Sequence, residues 1–354
     1  MTAAPAAVGL RERPLTLAGG RLVVLYRPRS VLTCVVLLAA TLAVAVVSLG
    51  TGEYPVPPGE VVRALLGRAD ADATWVVTTL RLPRAVAAIL VGAALGVAGG
   101  IVQGVARNPL ASPDIVGFTT GSATGALLQI LVLGGGPVAI ASGAVGGGLA
   151  TAALVIALTW RAGADGYRLI LVGVGVGAIL VSVNAYLLTR ADAGAALSAA
   201  VWLTGSLNVR TWDYVVPLAA ALAVLLPVAA ALARPLRTME LGDDTATGLG
   251  VAVGRIRPLL VAVAVALTGA AVATAGPIGF VALAAPQLAR RLARTPGVAP
   301  APAACMGALL VVASDLVAQR LLAPVLLPVG IVTAGLGGGY LVFLLVSEWR
   351  RRRG

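Results

Sequence analysis

Long apolar runs broken by short arginine clusters recur along this sequence, and that alternation decides what the chain can fold into. A bilayer-crossing helix needs about 20 predominantly apolar residues and satisfies its own backbone groups, which lipid cannot do. Ten stretches meet or approach that length: 31–50, 83–105, 113–133, 137–160, 169–189, 213–233, 258–275, 279–293, 302–321 and 329–347. The eighth is short, which predicts a tilted, broken or re-entrant segment and leaves the count good to one. Composition agrees, since 59% of residues are hydrophobic and 11% charged, against roughly 25% charged in soluble domains. The expectation is an all-α polytopic membrane protein of about ten transmembrane helices. A net charge of +12 does not imply nucleic acid, because the arginines flank apolar runs instead of lining one face.

Orientation follows from basic residues. There is no lysine, so all 26 are arginine. With a cytoplasmic N-terminus, 19 fall inside and 7 outside, the latter being Arg63, Arg68, Arg81, Arg84, Arg190, Arg210 and Arg320. Both termini are expected to be cytoplasmic, with residues 1–30 an N-terminal extension, 31–347 the transmembrane unit and 348–354 a basic tail. The basic "RPRS" leads directly into an apolar stretch long enough to remain as an anchor.

"VGAALGVAGGI" at 91–101 is nearly repeated by "TGAAVATAGPI" at 268–278, which aligns Gly92 with Gly269, Gly99 with Gly276 and Ile101 with Ile278. The copies lie five spans apart in order, in the second and the seventh, and an odd offset inverts them in the membrane. Small residues at helical spacing serve close helix packing. The aligned pattern also fits an inverted repeat of spans 2–5 and 7–10, a known way to build a translocation path.

Missing residues narrow the chemistry. Histidine is absent, which removes imidazole relays and His metal ligands. Without lysine there is no P-loop, so energy must come from another polypeptide or from a gradient. Asp315 is almost the sole carboxylate within a span, a poor supply for an ion-coupled carrier. Cys34 and Cys305 read as small core residues far apart, with no disulfide framework or metal spacing. Neither a metal nor any other cofactor is expected. The longest inside loop, 234–257, contains "ELGDDTATGLG", in which Asp243 or Asp244 can cap a short helix that Gly248 or Gly250 ends. It is either a plain connector or a seat for a soluble motor.

Five segments in order, "LRLPRAVAAILVGAALGVAGGIVQGVARNPLASPDIVGF", "VWLTGSLNVRTW", "ELGDDTATGLGV", "AGPIGFVALAAPQLARRL" and "LPVGIVTAGLGG", resemble the signatures of the FecCD family. These are type II importer permeases for ferric siderophores, haem and cobalamin. The resemblance implies ten helices per subunit, a second permease subunit beside it, an ABC ATPase dimer below and a periplasmic or lipid-anchored binding protein above, in the bacterial cytoplasmic membrane. "GYRLILVGVGVGAILVSVNAYLLTRAD" and "APQLARRL" are most similar to ferric-enterobactin permease subunits, which implies a non-identical permease partner and a catecholate siderophore. Haem or cobalamin import is the alternative within the family, and an ion-coupled secondary transporter the alternative outside it.

Roles carried over by resemblance fall on three places. Arg81, Arg84 and Arg320 become docking candidates for carboxylates of the binding protein, Arg320 one position from the usual arginine; interfacial snorkelling is the other reading of Arg81 and Arg84. Asn108, Pro109 and Leu110 become the cytoplasmic gate, unless "RNPLASPD" is only a turn in which Ser112 caps the third helix. Glu240, Leu241, Gly242, Asp243, Asp244, Gly248, Leu249 and Gly250 become the coupling loop on the ATPase. Two departures stand out: Gln287 where many members carry histidine, and Leu327 where they carry glutamate.

Overall fold

The computed structural model describes residues 13–17, 22–52, 54–160, 166–323 and 325–353. After a short antiparallel hairpin, β1 (Arg13–Leu17) with β2 (Leu22–Tyr26), every element is helical. The hairpin lies in the stretch expected only as an N-terminal extension, and the transmembrane unit is all-helical, as expected. The helices are α1 (Pro28–Gly50), α2 (Pro58–Leu65), α3 (Ala71–Trp75), α4 (Leu82–Ala106), α5 (Phe118–Leu131), α6 (Pro137–Trp160), α7 (Gly166–Arg190), α8 (Ala193–Leu203), α9 (Trp212–Met239), α10 (Asp243–Gly248), α11 (Val253–Ala275), α12 (Val281–Ala293), α13 (Pro300–Arg320) and α14 (Val329–Arg353).

Among the described residues, seven helices are long and apolar enough to cross a membrane, the second of them running from Ala71 through Ala106. Large apolar side chains stay exposed on outward faces, such as Val35, Leu42, Ile179 and Val224, as expected where lipid is the solvent. Stretches 113–133 and 279–293 shorten to α5 and α12. Residues 112–117 form a turn held by Val116 N–H to the Ser112 carbonyl, and α5 begins only after Gly117 at φ 82°. Ser112 Oγ therefore accepts from Ile115 N–H within that turn and does not cap α5.

The core is built by close approach of small residues. α4 lies against α13 where Gly92 and Gly307 face each other with no room for a Cβ on either. α11 lies against α6, where a Cβ on Gly269 would meet Val145 Cα at 3.1 Å. Between α3 and α4, residues 76–81 widen into a π-helical turn, with Leu82 N–H donating to the Val77 carbonyl. Pro83 has no N–H to continue the α ladder upstream, and the wider turn absorbs that gap.

Candidate functional site

α4 spans 25 residues, about 37 Å at 1.5 Å per residue, so its two ends belong to opposite ends of the bundle. Arg81 and Arg84 mark the first, and the segments 107–117 and 240–250 gather at the second.

At the first end the π-helical turn sends the two arginines to different neighbours. Arg81 donates from Nη1 to the Leu49 carbonyl at 2.8 Å and from Nη2 to the Tyr54 carbonyl at 2.6 Å, holding both near the start of α4. Arg84 donates from Nη2 to Asp315 Oδ1 at 2.8 Å and from Nε to Oδ2 at 3.0 Å, a bidentate pair whose side chains are 15% and 3% exposed. Gln319 donates to Asp315 Oδ2 at 2.8 Å and to Ser48 Oγ at 3.2 Å, drawing α1 into the same network. A cleft of about 550 Å³ opens between Tyr54, Leu80, Arg81, Arg84, Val209 and Gln319. Arg320 is exposed. Both Arg81 and Arg84 thus have internal acceptors, which neither docking nor snorkelling foresaw, and the partner of Asp315 was the missing piece.

At the second end α4 stops at Arg107 in the left-handed conformation, φ 49°. Asn108 Oδ1 accepts from Leu110 N–H at 2.9 Å, closing a tight turn that leaves Leu110 half exposed. Buried Gln287 of α12 donates through Nε2 to the Pro109 carbonyl at 2.9 Å and to Gln103 Oε1 at 3.0 Å, while Gln103 Nε2 donates to the Leu283 carbonyl at 3.0 Å. Asp114 accepts from Thr119 Oγ1 at 2.6 Å and from Phe280 N–H at 3.3 Å. The three predicted gate residues therefore sit in one turn pinned to α12. Gln287 was visible in the sequence only as a departure from the usual histidine.

α10 forms as expected, but its cap is Gly242 at φ 116°, and Gly250 at φ 87° follows its end. Asp243 is not the cap: its carboxylate pairs with Arg107 and accepts from Arg257 Nη2 at 2.6 and 2.7 Å, joining α10 to the end of α4 and to α11. Glu240 accepts from Val298 N–H at 3.3 Å while Arg237 donates to the Val298 carbonyl at 3.2 Å, so the backbone of one residue is held at both its N–H and its C=O. Burial pushes the Glu240 carboxyl above its usual range, an effect opposed by the Val298 N–H and the charges of Arg290 and Arg237. Asp244, Gly248, Leu249 and Gly250 are exposed; Leu241 and Leu249, 67% and 65% exposed, flank α10 as a bare apolar pair. No group of three or more Cys, Asp or Glu residues able to hold a metal occurs among the described residues.

A model of the FecCD transport family matches residues 38–347. The chain belongs to the FecCD transport family. This family member is 47% identical over 324 residues to the ferric enterobactin transport system permease protein FepG of Escherichia coli (strain K12), covering 92% of this chain and 98% of that one. It is 42% identical over 320 residues to the achromobactin transport system permease protein CbrC of Dickeya dadantii, covering 88% and 90%. Among solved structures it is similar to a metal-chelate type ABC transporter in an inward-facing conformation, with TM-score 0.77 and 29% identity over 89% of this chain and 98% of that one. The FecCD chain is thus a multi-pass permease, and these relatives are permease proteins of transport systems.

Proposed function

We propose that this permease forms half of the membrane path of an ATP-driven importer of ferric catecholate siderophores. The observation that carries the reading is the near end-to-end match to a ferric enterobactin permease. With no histidine or lysine the chain has no P-loop, and its buried Asp315 is already paired with Arg84 and so is not an open carboxylate for ion coupling. The motor is an ABC ATPase dimer seated on α10, where Leu241 and Leu249 offer apolar contact. Substrate is delivered by a binding protein at the opposite end, where exposed Arg320 is best placed to meet its carboxylates; a docking carboxylate would have to compete with Asp315 for Arg84 and with two carbonyls for Arg81.

Ten spans with cytoplasmic termini complete the proposal, α5, α12 and α14 joining the seven long helices. The inverted repeat is supported by an exchange of partners: Gly92 of span 2 meets span 9, and its counterpart Gly269 of span 7 meets span 4, as a two-fold axis in the membrane plane requires. The second permease is a non-identical FecCD homologue. The test is uptake of radiolabelled ferric enterobactin by cells lacking their own permease pair and supplied with this chain, its partner permease, ATPase and binding protein. Vanadate-sensitive uptake is expected. Uptake collapsed by an ionophore but indifferent to vanadate would overturn the ATP-driven reading, and vanadate-sensitive uptake of haem or cobalamin alone would overturn the substrate.

A further inference from the structure

The chain has only two cysteines, and the packing of α1 against α13 brings Cys34 of the one beside Cys305 of the other. The contact belongs to a sustained helix register. Farther along the same pair, Gln319 of α13 donates to Ser48 of α1, and both pairs share one sequence offset, 271. Constant offset means that the helices run parallel in fixed register over four turns, about 21 Å at 1.5 Å per residue. Cys34 and Cys305 also lie six and five residues from the starts of their helices, hence at one depth. Helix axes about 8–10 Å apart, with Cα atoms about 2.3 Å from each axis, leave facing Cα atoms roughly 3.4–5.4 Å apart, which overlaps the range a disulfide spans. Both residues are only half-buried, so small reagents can reach them.

From this we infer that Cys34 and Cys305 form a dithiol site, open to two-electron thiol oxidants and to trivalent arsenicals, whose oxidation staples the peripheral helix α1 to the core helix α13. With a diazene oxidant such as diamide, the two thiols lose two protons and two electrons, one S–S bond forms, and the N=N bond is reduced to N–H groups of the hydrazine. With phenylarsine oxide no oxidant is needed: two As–S bonds form and the arsenic oxygen leaves as water with the two thiol protons.

The experiment uses the full chain in membranes of expressing cells, treated with diamide, denatured, and tagged with a polyethylene glycol maleimide that adds mass at every remaining thiol. Untreated wild type is expected to take two tags and oxidised wild type none, at monomer mass, with both tags restored by dithiothreitol. Cys34→Ser should keep its single tag after diamide. Cys34→Ser with Val35→Cys moves the thiol to a face that is 56% exposed and should keep two tags. In native membranes phenylarsine oxide should protect both wild-type thiols and neither thiol of the moved pair. Two tags on oxidised wild type, loss of tags only through disulfide-linked chain dimers, or equal oxidation of the moved pair would each overturn the site.

Discussion

Arg84 and Asp315, 231 residues apart in sequence, meet in a bidentate ion pair at one end of the bundle, with the carboxylate side chain 3% exposed. The pair joins the first long helix of the core, α4, to α13, and Gln319 extends the join to α1. A charge this deep costs desolvation unless its partner stays in place. The pair is therefore an internal rivet, and its energetic signature differs from that of a docking arginine.

That difference can be measured by unfolding the purified complex in detergent. Asp315→Asn leaves the Arg84 guanidinium without its counter-charge and is expected to cost on the order of 3–5 kcal/mol. Replacing both residues by methionine should recover most of the loss, because the apolar pair leaves no buried charge uncompensated. Equal stability of wild type and Asp315→Asn would sink the rivet.

The turn proposed as the gate supplies a second prediction. Gln287→Ala removes the donor to the Pro109 carbonyl and leaves the buried Gln103 Oε1 without its donor, a loss of about 1–3 kcal/mol. Faster amide hydrogen exchange across residues 107–117 is expected, together with higher transport-independent ATPase activity in the assembled complex. Gln287→His keeps one N–H for Pro109 and should fall between the two. Unchanged exchange in the alanine form would show that the turn holds itself.

At the proposed coupling face, the aspartate and the two leucines have different surroundings. Asp243 clamps α10 to Arg107 and Arg257, so Asp243→Asn should lower stability and uptake together. Leu241→Asp with Leu249→Asp alters only exposed side chains; melting temperature should stay near wild type while ATPase copurification and uptake fall at least about tenfold, the factor expected for a loss of 1.4 kcal/mol in binding. Retained copurification in that double form would place the motor elsewhere.

Much of the helical layout could be read from the sequence because length and apolarity act locally: all seven long spans coincide with predicted ones to within a few residues at most ends, the exception being the second, which begins at Ala71. What stayed hidden depended on chain folding. Nothing near Cys34 announces Cys305, and nothing near Arg84 announces Asp315. Helices α2 and α8 are short, and α8 shows only in the Asp192 side chain that accepts from Ala195 N–H at 3.0 Å. In the "GDDTATG" loop, aspartate favoured a capping role on local propensity, but two arginines from other elements claimed the Asp243 carboxylate and glycine took the cap. Tertiary charge pairing outweighed a local preference worth about 1 kcal/mol.

The last prediction concerns pH. Glu240 grips the Val298 N–H, and burial holds its carboxyl above the usual carboxylate range. Its folded form therefore binds its proton more tightly than the unfolded chain, whose glutamates titrate near about 4.3. Between that value and the raised folded value the folded state carries more protons, so stability falls as pH rises through this window and levels off above it. Glu240→Gln replaces the titrating group by a neutral one of the same shape whose amide oxygen can still accept from Val298. It should flatten the fall, narrowing the difference in melting temperature between acidic and neutral pH while leaving stability at the acidic end nearly unchanged. The measurement is a pair of melting curves, wild type against Glu240→Gln, taken across the acidic range in detergent. Parallel pH profiles for the two proteins would mean that Glu240 titrates as an ordinary carboxylate and that the Val298 grip does not depend on its charge.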